Sequence, residues 1–433
     1  MKTPSSPKSL RISNRVKNLV QSDIRRMSRE CDAIGGINLG QGICDMPTPP
    51  AVAQGAKDAI DQRKSTYSRY EGVDVLRRAI AMKLERDNGL RGVDPESQIV
   101  VTIGSTGAFA TVCTALFNPG DEVVLLEPYY GYHLNTLKVA ECVPKFVTMS
   151  PPDWKIDLKR LEATITKKTR AIVACTPSNP CGKVWTREEI LAVGKLCEKH
   201  DLLLITDEIY EYIVFDGRRH VSPATVGDLA KRTIMMGGFS KTFSITGWRV
   251  GYVIAPPALA KTIGLVNDLH YVCAPTPLQL GVANGLNTIP VDYYAKLSRD
   301  YEVMRDMIVK SLRIAGFDPF VPQGAYYLLA DFSAFGWKGA KNASQQILDR
   351  AKIASVPGTA FYQNPVGDTM VRFCFAKDLD VLEEACRRLE SLKDARPATV
   401  TVLGTGKKAV KTGVKVAKKS APKSKVARRT GRK

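Results

Sequence analysis

Residues 233–251 read Thr-Ile-Met-Met-Gly-Gly-Phe-Ser-Lys-Thr-Phe-Ser-Ile-Thr-Gly-Trp-Arg-Val-Gly, and the way this stretch is read decides the fold. An apolar run leads into Gly237-Gly238, a turn carries Ser240 and Lys241, and a second apolar run begins at Arg249. A lysine and an arginine thus stand eight positions apart beside a sheet. A lysine just past a buried strand end is partly desolvated, which disfavours its ammonium form and leaves a nucleophilic amine. A solvated loop lysine is the alternative, so the neighbours decide.

Outward from this segment, short β-branched runs alternate with helical patterns between 99 and 255, the signature of β-α units and an α/β fold with a largely parallel, buried sheet. The strand candidates are 99–103, 122–127, 171–175, 202–206, 233–236 and 249–254. After Val291 the pattern changes to long amphipathic helices around strands near 326–332 and 371–375, as in a smaller α+β unit. The expected division is an N-terminal segment, 1–47, contributing to the small domain; a large domain, 48–289; a small C-terminal domain, 290–395; and a tail, 396–433.

The whole chain has 433 residues and a net charge of +20, but residues 401–433 hold twelve Lys or Arg and no acid. Removing those twelve leaves 51 bases against 43 acids, a mildly basic body. The tail composition cannot bury enough apolar surface to offset the entropy of ordering, so it is expected to be disordered. No run approaches the roughly 20 apolar residues that cross a bilayer, and no secretory signal is apparent. A cytoplasmic enzyme is expected. Segment 2–27 is basic, with Asp23 its one acid, and is read as an N-terminal helix in preference to a transit peptide. Ten cysteines without a C-x-x-C pair are read as reduced, mostly buried thiols, and four histidines without ligand spacing predict no metal site.

Three further features keep Lys241 company. The run Leu202-Leu203-Leu204-Ile205-Thr206-Asp207 delivers a carboxylate to a strand end, where it pairs with a cation such as a pyridine nitrogen or caps a following helix. Gly104-Ser105-Thr106-Gly107-Ala108 is a small-residue turn before an apolar helix, where free N–H groups and the helix dipole favour an anion. It matches neither the dinucleotide nor the Walker pattern. Arg249 either completes a phosphate cradle or forms a structural salt bridge.

These residues resemble the class I aminotransferases of pyridoxal 5′-phosphate (PLP) fold type I, in particular the kynurenine, aromatic and broad-range subgroup. The resemblance covers about 10–392 and rests on ordered blocks: Asn38-Leu39-Gly40-Gln41-Gly42, Tyr67 before Gly72, Gly104-Ser105-Thr106, Glu127-Pro128-Tyr129-Tyr130, Ser178-Asn179-Pro180-x-Gly182, Asp207-Glu208-x-Tyr210, Ser240-Lys241-Thr242, Gly247-Trp248-Arg249-x-Gly251 and Arg372. It implies a mostly parallel seven-stranded sheet in the large domain. By the same resemblance Lys241 holds PLP as a Schiff base, Asp207 pairs with the ring nitrogen, Tyr210 and Asn179 hydrogen-bond the ring oxygen, and Tyr130 stacks on the ring. Ser105, Thr106, Ser240, Arg249 and a Tyr67 reaching across from a second subunit complete the cofactor set, which implies a homodimer. Arg372, with Asn179 and Gly40 nearby, grips the substrate α-carboxylate. Two positions depart from the pattern: Gly238, where many relatives have a phosphate-binding serine, and Cys44, where proline is usual.

The activity implied is ping-pong exchange of an amino group between an L-amino acid and a 2-oxo acid, with Lys241 as general base and acid. No second arginine can be assigned to a side-chain carboxylate, which favours neutral or aromatic donors. Alternatives are β-elimination at a carbon–sulfur bond on the same scaffold, and an enzyme whose basic tail also contacts nucleic acid by counterion release.

Overall fold

The computed structural model describes residues 12–17, 19 and 22–395, and all of them belong to one compact unit. The basic tail at 396–433 lies outside the described residues. So does much of the segment expected to form an N-terminal helix. Helix α1 (Asp23–Ala33) starts only at the end of that segment, where the Ser22 hydroxyl accepts from the Arg25 N–H; of the described residues before it, Asn14–Val16 form a single 3-10 turn.

Strand β1 (Ile37–Asn38) and helices α2 (Pro50–Asp61) and α3 (Asp74–Lys83) precede the main sheet. Its strands are β2 (Ile99–Ile103), β3 (Glu122–Glu127), β4 (Val143–Thr148), β5 (Thr169–Cys175), β6 (Leu203–Asp207), β7 (Thr233–Gly238) and β8 (Val250–Ile254). Helices α4 (Gly104–Leu116), α5 (Gly131–Val139), α6 (Leu158–Thr164) and α7 (Arg187–Lys199) lie between them in sequence. The strand order is β2-β8-β7-β6-β5-β3-β4, parallel throughout except for β8, which runs against both β2 and β7.

The central strands are apolar on both faces because both are covered. Consecutive residues show it: Leu204 packs with Ile190, Val193 and Cys197 of α7, and Ile205 packs with Ala108 and Val112 of α4. Strand β4 is absent from the sequence expectation. It is an edge strand, Val-Pro-Lys-Phe-Val-Thr, in which Val147 alone is buried, so it lacks the apolar run that betrays its neighbours.

Helices α8 (Pro257–Tyr271), α9 (Thr276–Thr288) and α10 (Asp292–Ala315) lead to β9 (Asp318–Pro319), β10 (Tyr327–Asp331), α11 (Ala340–Ala351), β11 (Ile353–Ala354), β12 (Val356–Pro357), β13 (Met370–Cys374) and α12 (Leu379–Glu390). Strands β12-β13-β10-β9 form an antiparallel sheet, and β1 pairs with β11. Both faces of β13 are buried, which hides the Arg372 side chain in the protein. Among the described residues no helix is long and apolar enough to cross a membrane. All ten cysteines are free, and eight are buried.

Two strand ends are longer than the sequence reading, and both extensions carry chemistry. Strand β6 includes Asp207, and no helix follows it, which removes the helix-capping role left open for that residue. Strand β7 runs on to Gly238, paired with Gly251 of β8. A Cβ on Gly251 would stand 2.6 Å from Gly104 C and 2.8 Å from Ser105 N, so β8 approaches the start of α4 only because it has no side chain there. Gly251→Ala is expected to destabilise the fold by about 1–3 kcal/mol through overpacking against backbone. An unchanged urea midpoint would contradict this.

Candidate active site

The carboxyl ends of β5, β6 and β7 open onto a cavity of about 420 Å³, where open α/β sheets bind their ligands. Ser105, Thr106, Tyr130, Asn179, Asp207, Tyr210, Ser240, Lys241, Arg249 and Arg372 all line it. Gly40 is joined to this set through Arg372. Tyr67 is not part of the cavity; it is 81% exposed on the surface of the single chain.

One end of the cavity is built for an anion. Ser105 and Thr106 lie in the first turn of α4, where backbone N–H groups lack helical partners. Gly104 has φ +64°, and a Cβ there would fall 2.5 Å from Arg249 Nη2, so glycine makes room for the guanidinium beside the helix start. Arg249 is itself left-handed, at φ 57°, a conformation that costs about 1–2 kcal/mol outside glycine. It donates from Nη1 to the Thr246 carbonyl at 3.0 Å and from Nη2 to the Ile103 carbonyl at 3.4 Å. Among the described residues it makes no ion pair, so the salt-bridge alternative does not hold.

Asp207 stands in the middle, 4% exposed. Its Oδ2 is 3.1 Å from His133 Nε2, and its Oδ1 accepts from the Ile209 N–H at 3.4 Å. His133 escaped the sequence reading. It follows Tyr130 by three residues at the start of α5, so the two share a helix face, and its ring packs on Phe109 at 4.6 Å and edge-on to Tyr130 at 5.3 Å. That i,i+3 spacing was the available signal.

Lys241 sits in the turn after β7 with Nζ donating to the Gly42 carbonyl at 3.2 Å and lying 5.5 Å from the centre of the Tyr326 ring. What surface it exposes faces the cavity, and the surrounding protein lowers its pKa by desolvation. The positive charge of Arg249 adds to that shift, while Cys44, Cys374 and Asp207 oppose it. The Tyr210 hydroxyl is 3.4 Å from that of Tyr327, and burial pushes the Tyr210 phenol well above its usual range. Gly42 must be glycine, since a Cβ there would fall 1.6 Å from the Tyr327 oxygen. The two unusual positions are filled physically: Cys44 is buried with Sγ 3.6 Å from the Tyr326 hydroxyl, and a Cβ on Gly238 would meet Ile209 Cδ1 at 2.8 Å.

Arg372 occupies the far wall, 1% exposed. Nη1 donates to Asn179 Oδ1 at 2.9 Å and Nη2 to the Gly40 carbonyl, while the guanidinium lies over the rings of Tyr327 and Phe361 at 4.3 and 4.9 Å. Its Nε is buried with no partner, and among the described residues no carboxylate neutralises it. A buried cation whose neighbours are neutral is a receptor for an incoming carboxylate. Tyr327, Gln41, Ile24 and Arg25 also line the cavity and were not singled out from sequence; they arrive from elements far apart in the chain.

An anion cup, a desolvated lysine, a buried carboxylate and a buried arginine on an α/β scaffold define a cofactor-dependent enzyme acting on small carboxylic acids. Residues 34–389 match the family described as aminotransferase class I and II, and the chain belongs to that family. It is 34% identical over 389 residues to kynurenine–oxoglutarate transaminase 3 of Mus musculus, covering 82% of this chain and 85% of the relative. It is 32% identical to aromatic-amino-acid aminotransferase 2 of Thermococcus litoralis, over 88% and 98% of the two chains. The structure of N-succinyldiaminopimelate aminotransferase from Mycobacterium tuberculosis superposes with a TM-score of 0.85 at 32% identity, covering 88% of this chain and all of that one.

The protein is therefore a PLP-dependent aminotransferase. The cavity fits that cofactor: the first turn of α4 at Ser105 and Thr106, with Arg249 beside it, offers donors to a phosphate, Asp207 offers a buried carboxylate, and Lys241 offers a desolvated amine.

The lowered pKa of Lys241 has a measurable consequence without cofactor. Burial depresses its folded-state pKa below the unfolded value near 10.5, so the charged amine costs stability at low pH and that cost vanishes once both states are neutral. In cofactor-free protein, Lys241→Met is expected to raise the urea midpoint at neutral pH and to lose this advantage as pH rises past about 10.5. A pH-independent difference would contradict the burial argument.

Proposed function

We propose that the chain moves an amino group from a neutral or aromatic L-amino acid to a 2-oxo acid in two half-reactions at this one cavity. The observation that carries the proposal is the placement of the Lys241 amine, the Asp207 carboxylate and the Arg372 guanidinium around one space. PLP supplies the aldehyde that accepts the amino group and a protonated ring that acidifies the substrate α-carbon.

Each side chain has a task that follows from its surroundings. Arg372 takes the substrate α-carboxylate as a planar fork, using the Nε that has no protein partner, with Asn179 and the Gly40 carbonyl fixing its plane. Lys241 Nζ, its pKa lowered by desolvation, removes the proton from the donor's α-carbon and returns one to the acceptor's α-carbon in the second half. Asp207 would pair with the ring nitrogen and keep it protonated, its carboxylate held in place by His133. Tyr210 and Asn179 would hydrogen-bond the ring oxygen, Tyr130 would stack on the ring, and Ser105, Thr106, Ser240 and Arg249 would hold the phosphate.

The proposal includes a homodimer in which Tyr67 of the partner subunit completes the phosphate site. The high exposure of Tyr67, with that of Leu269 at 83%, supports such an interface. It also includes a cytoplasmic location, supported by ten free cysteines, and a division of the chain into a large domain at 48–289 and a small one at 290–395. A neutral or aromatic donor is supported by the names of the kynurenine and aromatic relatives.

The test is a single turnover. An aromatic L-amino acid mixed with holoenzyme, no acceptor present, is expected to convert the cofactor to its amine form, seen as loss of its visible absorbance. Steady-state plots against both substrates are then expected to be parallel. Intersecting lines, or turnover without that spectral change, would overturn the reading.

A further inference from the structure

A second cavity, of about 540 Å³, lies apart from the catalytic one and shares no lining residue with it. Its walls are the loop that follows β6, the chain end at Asp87 and Asn88 beyond α3, and one face of α10. Its size is that of a small-molecule site. No step of the amino-group transfer uses it.

Charge decides what this cavity can take. Each acid on its walls already has a cation: Asp87 has Arg86 at 2.6 Å, the buried Glu211 has Lys83, and Glu302 has Arg305 at 3.4 Å. Arg218 in turn has Asp216 at 2.8 Å. Arg219, on the loop, and Arg299, on α10, have neither an ion pair nor a hydrogen bond among the described residues, so two guanidinium groups line the cavity without a counter-ion. A third wall residue is short of a partner. The His220 side chain is 5% exposed, its Nε2 stands 2.7 Å from Glu208 Oε2, and its Nδ1 is buried without a hydrogen bond. A buried nitrogen left unpaired costs stability and has a partner to gain.

The chain joins this cavity to the cofactor residues. Glu208 follows Asp207, and its buried carboxylate accepts from the Thr206 and Ser222 hydroxyls as well as facing His220. Glu211 and Tyr212 follow Tyr210. One loop thus presents Asp207 and Tyr210 to the catalytic cavity and Arg219 and His220 to the second. We propose that the second cavity is a binding site for a small phosphate monoester, held between Arg219 and Arg299. Such an ester carries about 1.5 to 2 negative charges at neutral pH, and its oxygens accept from guanidinium forks, which suits two arginines without counter-ions. Bound there, it ties the loop from Asp207 to His220 onto α10 and stabilises the folded state by mass action. No covalent step is involved.

The test is calorimetric titration of holoenzyme, whose catalytic anion cup is filled by the cofactor, with sn-glycerol 3-phosphate. One saturable site per chain is expected. The double variant Arg219→Gln, Arg299→Gln is expected to weaken it at least about tenfold, and Ala295→Trp, which fills the cavity from the exposed face of α10 without changing its charge, to do the same. Arg372→Gln, which removes the carboxylate receptor of the catalytic cavity, is expected to change it less than about twofold. No saturable binding below about 10 mM, or an affinity of the double variant within about twofold of wild type, would overturn the proposal. Loss of binding in Arg372→Gln would overturn it too, by placing the ester in the catalytic cavity. Succinate held as tightly by the same two arginines would overturn the assignment to phosphate. Inorganic phosphate bound as tightly as the ester supports the site and shows that the phosphate group alone is read.

Discussion

Three cations and a carboxylate converge on one cavity, and the cost of holding them there organises the rest of the molecule. Lys241, Arg249 and Arg372 form no ion pair among the described residues, and Asp207 has only His133. Neutral oxygens are arranged around the cations in place of counter-ions: the carbonyls of Gly42, Thr246, Ile103 and Gly40, and the amide of Asn179. Such partners offset part of the desolvation cost and leave net positive charge, which an anionic cofactor and an anionic substrate then neutralise. The site is electrostatically incomplete by construction.

Glycine is the means by which backbone replaces side chains around these charges. At Gly42 the space belongs to the Tyr327 hydroxyl, at Gly104 to the Arg249 guanidinium, and at Gly251 to the start of α4. In each case the glycine is needed for close approach, and at Gly104 for its positive φ as well. The parallel strands deliver the reactive groups in register: Cys175 of β5 pairs with Asp207 of β6, which pairs with Met236 of β7, five residues before Lys241.

Asp207, Lys241 and Arg249 were legible in the sequence because each follows or opens an apolar strand, a pattern local enough to read without coordinates. The β-α alternation was legible for the same reason. Strand β4 was not, since an edge strand with Pro144 and Lys145 has only one buried face position to announce it. His133, Tyr327 and Arg25 were hidden for a different reason. Their chemistry depends on which distant part of the chain they meet: His133 on the end of β6, Tyr327 on Gly42, and α1 on Asn38 of β1. Of the segment 2–27 expected to be helical, the described part becomes α-helix only from Asp23, because basic character does not mark where a helix begins, whereas the Ser22 cap does; the first residues of that segment lie outside the described ones.

The central claim is that the buried amine after β7, and no other lysine, holds the cofactor. Borohydride reduction of the holoenzyme followed by peptide mapping measures this directly. The account predicts the mass of the reduced cofactor on the peptide containing Ser240-Lys241-Thr242, in one position per chain. Cofactor mass on a different lysine, or none retained after reduction, would contradict it.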